Sequence, residues 1–141
     1  METPIDPNGY NQKVLRYDWA EFVFLIVEDN EMNYLFLAEA LKKTGVQLLW
    51  AVNGQEAVDI CRSGMAISLI ITDIQMPVKD GYTAACEIHA LRPRIPIIAY
   101  TAYSYEGVKD RMIMAGAREC LIKPFDARQL LLALRKHLIA T

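Results

Sequence analysis

Apolar residues in this chain gather in short runs, and between the runs they recur every three to four positions. Phe22-Val23-Phe24-Leu25-Ile26-Val27, Val46 to Val52, Leu69-Ile70-Ile71-Thr72, Pro96-Ile97-Ile98-Ala99-Tyr100 and Glu119-Cys120-Leu121-Ile122 have the length and β-branched content of buried strands. The intervening stretches predict helices. Asn30 caps one that runs to Lys43 before Gly45 stops it, with the stripe Asn33, Phe36, Leu37, Ala40 and Leu41 facing the sheet. Asn53-Gly54 opens a second helix that ends near Gly64, and a third covers Tyr82 to Arg92, ahead of Pro93 and Pro96. Ser104 caps a fourth that reaches Ala115 and closes at Gly116. Asp126 with Gln129 makes a capping box for the last, which extends to about Ile139. Five strands and five helices thus alternate strictly, the rhythm of a parallel sheet covered on both faces.

The strands share a feature at their carboxyl ends. The first ends in Glu28-Asp29, the third in Asp73, the fourth in Thr101 and the fifth in Lys123-Pro124. Open α/β sheets bind ligands at that edge. Right-handed crossovers leave few topologies, and the acids of strands one and three meet only if those strands are neighbours. The expected fold is therefore α/β, a flavodoxin-like (βα)5 doubly wound parallel sheet with strand order 2-1-3-4-5.

Pro4, Pro7 and Gly9 lie among polar residues, so 1–20 reads as a tail or linker and 21–141 as one domain. Tyr17 and Trp19 either pack that tail onto the domain or stay exposed. A length of 141 residues, 53% hydrophobic and 23% charged, fits one folded unit with a sizeable core. The net charge of −2 leaves no basic footprint for nucleic acid, and the apolar runs are too short to span a bilayer. Acids and prolines stand in Met1 to Gly9 where a signal peptide would be basic and then apolar. Cys61, Cys86 and Cys120 match no zinc spacing and read as buried free thiols in a reducing compartment, the cytoplasm.

Glu28, Asp29 and Asp73 crowd one small site in this topology. Three carboxylates repel one another, so the site wants a cation, and hard oxygen ligands with water access favour Mg²⁺. Thr101 and Lys123 arrive on the other side of Asp73. A hydroxyl and an ammonium beside a metal-bound carboxylate are suited to hold phosphoryl oxygens.

The set Glu28-Asp29, Asp73 with Met76-Pro77 and Asp80-Gly81, Thr101-Ala102 and Lys123-Pro124 resembles the receiver domain of two-component response regulators. The resemblance covers roughly 21–139. Val27-Glu28-Asp29-Asn30, Gly54-Gln55-Glu56-Ala57 and Ala115-Gly116-Ala117 are similar to receivers of hybrid histidine kinases. It implies that Asp73 takes a phosphoryl group from a phosphohistidine, that Asp29 binds Mg²⁺ directly and Glu28 through water, and that the Gln75 backbone carbonyl completes the protein ligands. It further implies that Thr101 binds the phosphoryl group and moves on activation, and that Lys123, oriented by a cis peptide to Pro124, pairs with the phosphoryl oxygens. Such a domain is not an enzyme beyond catalysing its own phosphorylation and dephosphorylation. Its partners are a histidine kinase or histidine phosphotransfer protein, with no nucleic acid or membrane contact, and it is a monomer or weak dimer. A parent hybrid protein would be a histidine kinase.

One position departs from the family pattern. An aromatic residue usually stands three positions before the lysine and rotates inward when the threonine moves, whereas here Cys120 stands there. Tyr100 and Tyr103 flank Thr101 as substitutes. Met32 and Leu35, spaced i, i+3 outside the sheet-facing stripe, offer a surface next to the acid pocket for a histidine-bearing helical bundle.

Three other readings compete. A haloacid-dehalogenase-like phosphatase wants a second acid two residues after the nucleophile, where this chain has Gln75. A flavin-binding module needs a loop rich in Ser, Thr and Gly after the first strand, and Glu28-Asp29-Asn30-Glu31 would repel a phosphate there. A pseudo-receiver acting only as a protein-binding module would not need so complete a pocket.

Overall fold

The computed structural model describes residues 12–75, 79–102 and 107–139. Five parallel strands form one sheet: β1 (Val23–Val27), β2 (Gln47–Ala51), β3 (Leu69–Asp73), β4 (Ile97–Thr101) and β5 (Glu119–Ile122), in the order β2-β1-β3-β4-β5. This is the expected order. It places β1 and β3 side by side in the register Val27↔Thr72, and Asp73 of β3 opposite Tyr100 of β4.

Helices α2 (Glu31–Leu41), α3 (Gly54–Arg62), α4 (Gly81–Leu91), α5 (Val108–Met114) and α6 (Ala127–Ile139) cover the two faces. Side-chain caps open three of them, at the predicted Asn30, at Asn53 where the sequence reads a turn, and at Asp80, which the sequence reading does not single out. Asn30, Asn53 and Asp80 each accept through Oδ1 from the backbone N–H three residues on, at 3.0, 2.8 and 2.8 Å. Asp126 and Gln129 exchange reciprocal bonds of 2.8 Å, the expected capping box. A 3₁₀ turn at Lys42–Thr44 finishes α2, and Gly45 follows with φ +77°, a left-handed turn that glycine adopts without steric cost.

Several expectations are corrected. A sixth helix, α1 (Gln12–Leu15), precedes the sheet, so from Gln12 onward the chain does not behave as a loose tail. Val14 and Trp19 are buried, the Trp19 indole N–H donates to the Val14 carbonyl at 3.2 Å, and Arg135 of α6 donates to the Leu15 carbonyl at 3.1 Å. Burial of an indole outweighs the turn-like composition around it. Helix α5 starts at Val108, with Gly107 at φ +87° as its N-cap position, later than a Ser104 cap would allow. Ser104, Tyr103, Met76, Pro77 and residues 1–11 lie outside the described residues. Phe36 does not face the sheet but stays 46% exposed, because the apolar stripe of α2 is wider than the sheet surface it covers. Cys61 and Cys120 are buried free thiols, but Cys86 is exposed on α4.

The core has two layers. Strand alternation sends Leu25, Val27, Ile70, Ile97, Ala99 and Cys120 toward α3, α4 and α5. Phe24, Ile26, Leu69, Ile71, Ile98 and Tyr100 point toward α1, α2 and α6.

Candidate functional site

The carboxyl edge of the sheet assembles the predicted residues. Glu28 and Asp29 follow β1, Asp73 ends β3, and an oxygen from each lies within 4.8 Å of the others. Thr101, the last residue of β4, is buried. Its carbonyl accepts from the Lys123 N–H at 2.8 Å, which ties the turn after β5 to the end of β4. Lys123-Pro124 is a cis peptide, as expected. The Lys123 ammonium lies 5.0 Å from the centroid of the Tyr100 ring.

A close backbone approach supports Asp73 from below. The Gly81 N–H donates to the Ile74 carbonyl at 2.8 Å, and a Cβ on Gly81 would come within 2.6 Å of the Asp73 carbonyl oxygen. Only glycine fits, so the Asp80-Gly81 pair is a packing requirement of the strand that carries Asp73. The Gln75 N–H donates to Asp73 Oδ1 at 3.2 Å.

Burial dominates the electrostatics. It pushes the Asp73 carboxyl above its ordinary value, with the Gln75 N–H and the Lys123 ammonium holding it back. Glu28 is fully buried and is likewise pushed up by loss of water, against the bonds from Tyr100 and Asn30. Three hard oxygen donors so close together, two of them destabilised as anions by burial, fit a small divalent cation such as Mg²⁺. Asp29, Asp73 and Glu28 are the residues that could hold it.

Other predicted residues take different places. Cys120 is 2% exposed, paired in register with Ala99 beneath Thr101, so a small thiol fills the position of the usual aromatic. Tyr100 cannot replace that aromatic, since alternation turns it to the opposite face from Ala99 and its hydroxyl is bound to Glu28. Met32 and Leu35 are 74% and 49% exposed on the outer side of α2.

Two features escaped the sequence. Phe36, Leu37, Tyr100, Lys123 and Phe125 line a cavity of about 260 Å³ beside the acids. Trp50 of β2 stacks on Tyr34 of α2, with centroids 4.1 Å apart, and its indole N–H donates to the Glu28 carbonyl at 2.7 Å. The only local signal for this pair was an aromatic in the strand beside β1.

Known proteins give a consistent comparison. The profile of the response regulator receiver domain matches residues 24–135. Hybrid signal transduction histidine kinase I of Dictyostelium discoideum is 32% identical over 114 residues, 75% of this chain and 7% of that protein. The transcriptional regulatory protein PdtaR of Mycobacterium tuberculosis is 38% identical over 111 residues, 78% of this chain and 53% of that protein. The chain spans 4% to 17% of the length of hybrid kinases and a related two-component protein that it matches. Among solved structures, the receiver domain of a Pseudomonas aeruginosa sensor histidine kinase, with a magnesium ion in its active-site cleft, superposes with TM-score 0.76. It is 31% identical, and the match covers 85% of this chain and 98% of that one. A receiver domain of a Saccharomyces cerevisiae response regulator, co-crystallised with a histidine phosphotransfer protein, gives TM-score 0.70 at 31% identity over 77% of this chain and 83% of that one. Fold, pocket and sequence agree: the chain belongs to the response regulator receiver domain family of two-component and phosphorelay signalling.

Proposed function

We propose that Asp73 accepts a phosphoryl group from a phosphohistidine of a histidine kinase or histidine phosphotransfer protein, with Mg²⁺ held in the acid pocket. The observation that carries this reading is the convergence of three carboxylates within 4.8 Å at the end of a buried strand, with the Lys123 ammonium close enough to ease the charge on Asp73. In the transfer an Asp73 oxygen attacks phosphorus in line. The new P–O bond forms as the P–N bond to the imidazole breaks, and the imidazole leaves with the bonding pair and takes up a proton.

Asp29 and Asp73 would hold the cation directly, with Glu28 acting through water and the Gln75 carbonyl completing the set. Bound Mg²⁺ would neutralise charge on the phosphoryl oxygens. Lys123 pairs with one of those oxygens and the Thr101 hydroxyl donates to another. Thr101 is then the moving part of the switch, and Cys120 beneath it puts a thiol where the family pattern has an aromatic. The domain, at 21–141 with Gln12–Leu15 before it packed against α6, catalyses only its own phosphorylation and dephosphorylation. The stretches similar to hybrid-kinase receivers favour a place within such a cytoplasmic kinase. No helix among the described residues is long and apolar enough to cross a membrane.

Met32 and Leu35 form the docking face for the histidine-bearing partner. Two exposed apolar side chains on the helix that starts beside Asp29 support this.

Incubation with a small phosphodonor and Mg²⁺ tests the site. The parent gains one base-labile phosphoryl group and Asp73→Asn gains none; full labelling of the variant, or of the parent in chelator, overturns the assignment. Leu35→Glu tests the face. It slows transfer from a phosphohistidine protein and leaves small-donor labelling intact; no slowing of either reaction places the docking surface elsewhere, and equal slowing of both points to damage in the pocket or the fold.

A further inference from the structure

The acid pocket has a second layer, supplied by the strand next to the one that carries Asp73. Tyr100 is 1% exposed, and its hydroxyl donates to Oε1 of Glu28 at 2.5 Å. The Asn30 backbone N–H donates to the other oxygen, Oε2, at 3.0 Å. Both oxygens of a fully buried carboxylate are therefore held by the protein itself. The same tyrosine ring supports the Lys123 ammonium, meets Phe125 edge-on with centroids 6.2 Å apart, and walls the adjoining cavity. One side chain thus touches an acid of the triad, the ammonium facing that triad, and the wall between them.

A carboxylate anchored at both oxygens cannot swing to offer both of them to a cation. That restriction bears on which cation the pocket takes. Ca²⁺ accepts bidentate carboxylates and longer oxygen distances, whereas Mg²⁺ needs a compact octahedral set with few protein ligands. Removing a partner that orients a ligating group from behind typically costs about 10–100-fold in metal affinity. We propose that Tyr100 is a positioning residue that keeps Glu28 from chelating and so makes the acid pocket selective for Mg²⁺ over Ca²⁺. This rests on the reading of Glu28, Asp29 and Asp73 as a divalent-cation site.

Chelator-treated parent and Tyr100→Phe are titrated separately with Mg²⁺ and Ca²⁺, followed by the Asn30 amide resonance. Trp50 fluorescence gives a second readout, since its indole is bonded to the Glu28 carbonyl. The phenylalanine keeps the ring and removes only the donor. The Mg²⁺-to-Ca²⁺ affinity ratio is expected to fall by roughly tenfold in the variant. A core-filling role alone would lower the thermal midpoint and leave the ratio unchanged, and that result overturns the proposal. If the parent binds neither cation, the cation-site reading fails and this one with it. If the parent binds both and the variant matches its ratio, only the role of Tyr100 fails. A variant that does not fold leaves a test in the parent. The Tyr100 ring and Glu28 carboxyl resonances should keep their bonded shifts as Mg²⁺ saturates, and loss of the bond on Mg²⁺ binding overturns the proposal.

Discussion

The two faces of the sheet are built from different stock. In the core toward α3, α4 and α5 small residues, Ala51, Ala57, Ala84, Ala85, Ala99, Ala115 and Ala117 with Cys61 and Cys120, are interleaved with aliphatic ones such as Ile70, Ile88 and Ile97. Toward α1, α2 and α6 it is large, with Trp19, Phe24, Tyr100 and several leucines, and with Tyr17, Phe22, Tyr34 and Phe125 along its edge. Small residues let helices approach closely. A Cβ on Gly54 of α3 would come within 2.5 Å of the Lys79 carbonyl oxygen, just ahead of α4. The aromatic face keeps the cavity beside Lys123. The functional residues divide between the faces. Glu28, Asp73 and Lys123 continue the alternation of the aromatic side, and Thr101 continues that of the small side beside Ala99. The lesson concerns the switch. The buried aromatic next to the threonine belongs to the face of the acids, and the face on which the threonine would move holds a thiol.

The largest test of this contrast is Trp19→Ala. Removing a fully buried indole from the aromatic face should cost about 3–5 kcal/mol in denaturant unfolding. A loss no greater than that of a surface substitution would show that the segment before β1 adds nothing to that layer.

Cys120→Tyr probes the small face next. From sequence alone, restoring bulk should enlarge the change on phosphorylation in the last two helices. In the structure Cys120 is 2% exposed, in one buried cluster with Ala99, Val108, Met112 and Ala115. The expected outcome is overpacking that destabilises by about 1–3 kcal/mol. Unchanged stability together with larger phosphorylation-dependent chemical-shift changes would show slack under Thr101 and restore the aromatic switch.

A smaller effect comes from charge where the faces meet. Burial raises the Asp73 carboxyl, so the folded state holds its proton more tightly than the unfolded state does. The resulting stabilisation is complete below the ordinary carboxylate value and is lost as pH rises through the folded value. In metal-free buffer Asp73→Asn should therefore melt a few degrees above the parent at pH 7, and the gap should close toward pH 4. A gap that widens on acidification would reverse the sign of the shift.

The smallest test leaves stability untouched. All three cysteines sit on the elements of the small face, and only Cys86 is exposed. Burial pushes the Cys61 and Cys120 thiols up as well as hiding them. A thiol reagent should modify one site quickly in the folded protein and the other two only on unfolding. Fast modification of Cys120 would mean that the small face opens around the threonine.

Much of this arrangement was written in local patterns. Caps at Asn30, Asn53 and Asp80 and the Asp126–Gln129 box are decided by side chains three residues from their partners, so neighbouring residues suffice to specify them. The order of the strands needed one further step, that acids ending two different strands must meet. Phe36 was misplaced because a helical stripe says which residues share a side and not how far the sheet beneath it extends. The start of α5 falls later than a Ser104 cap implies, because Gly107, in a left-handed conformation that no side chain marks, holds the N-cap position.

The amino-acid sequence by itself determined the strands, the Asn30 cap, the Asp126–Gln129 box and the five chemical groups that end the strands, since periodicity and capping act over a few residues. Tertiary structure alone decided how those groups are held. Tyr100 and Glu28 stand 72 residues apart and meet only because β1 and β4 flank β3. Trp19 joins a buried cluster with Leu37 and Leu41 of α2 and Leu134 and Leu138 of α6, residues that only the folded chain brings to it. Whether a residue is buried, and which polar atom it then binds, depends on surfaces contributed by distant segments, and no local pattern encodes those surfaces.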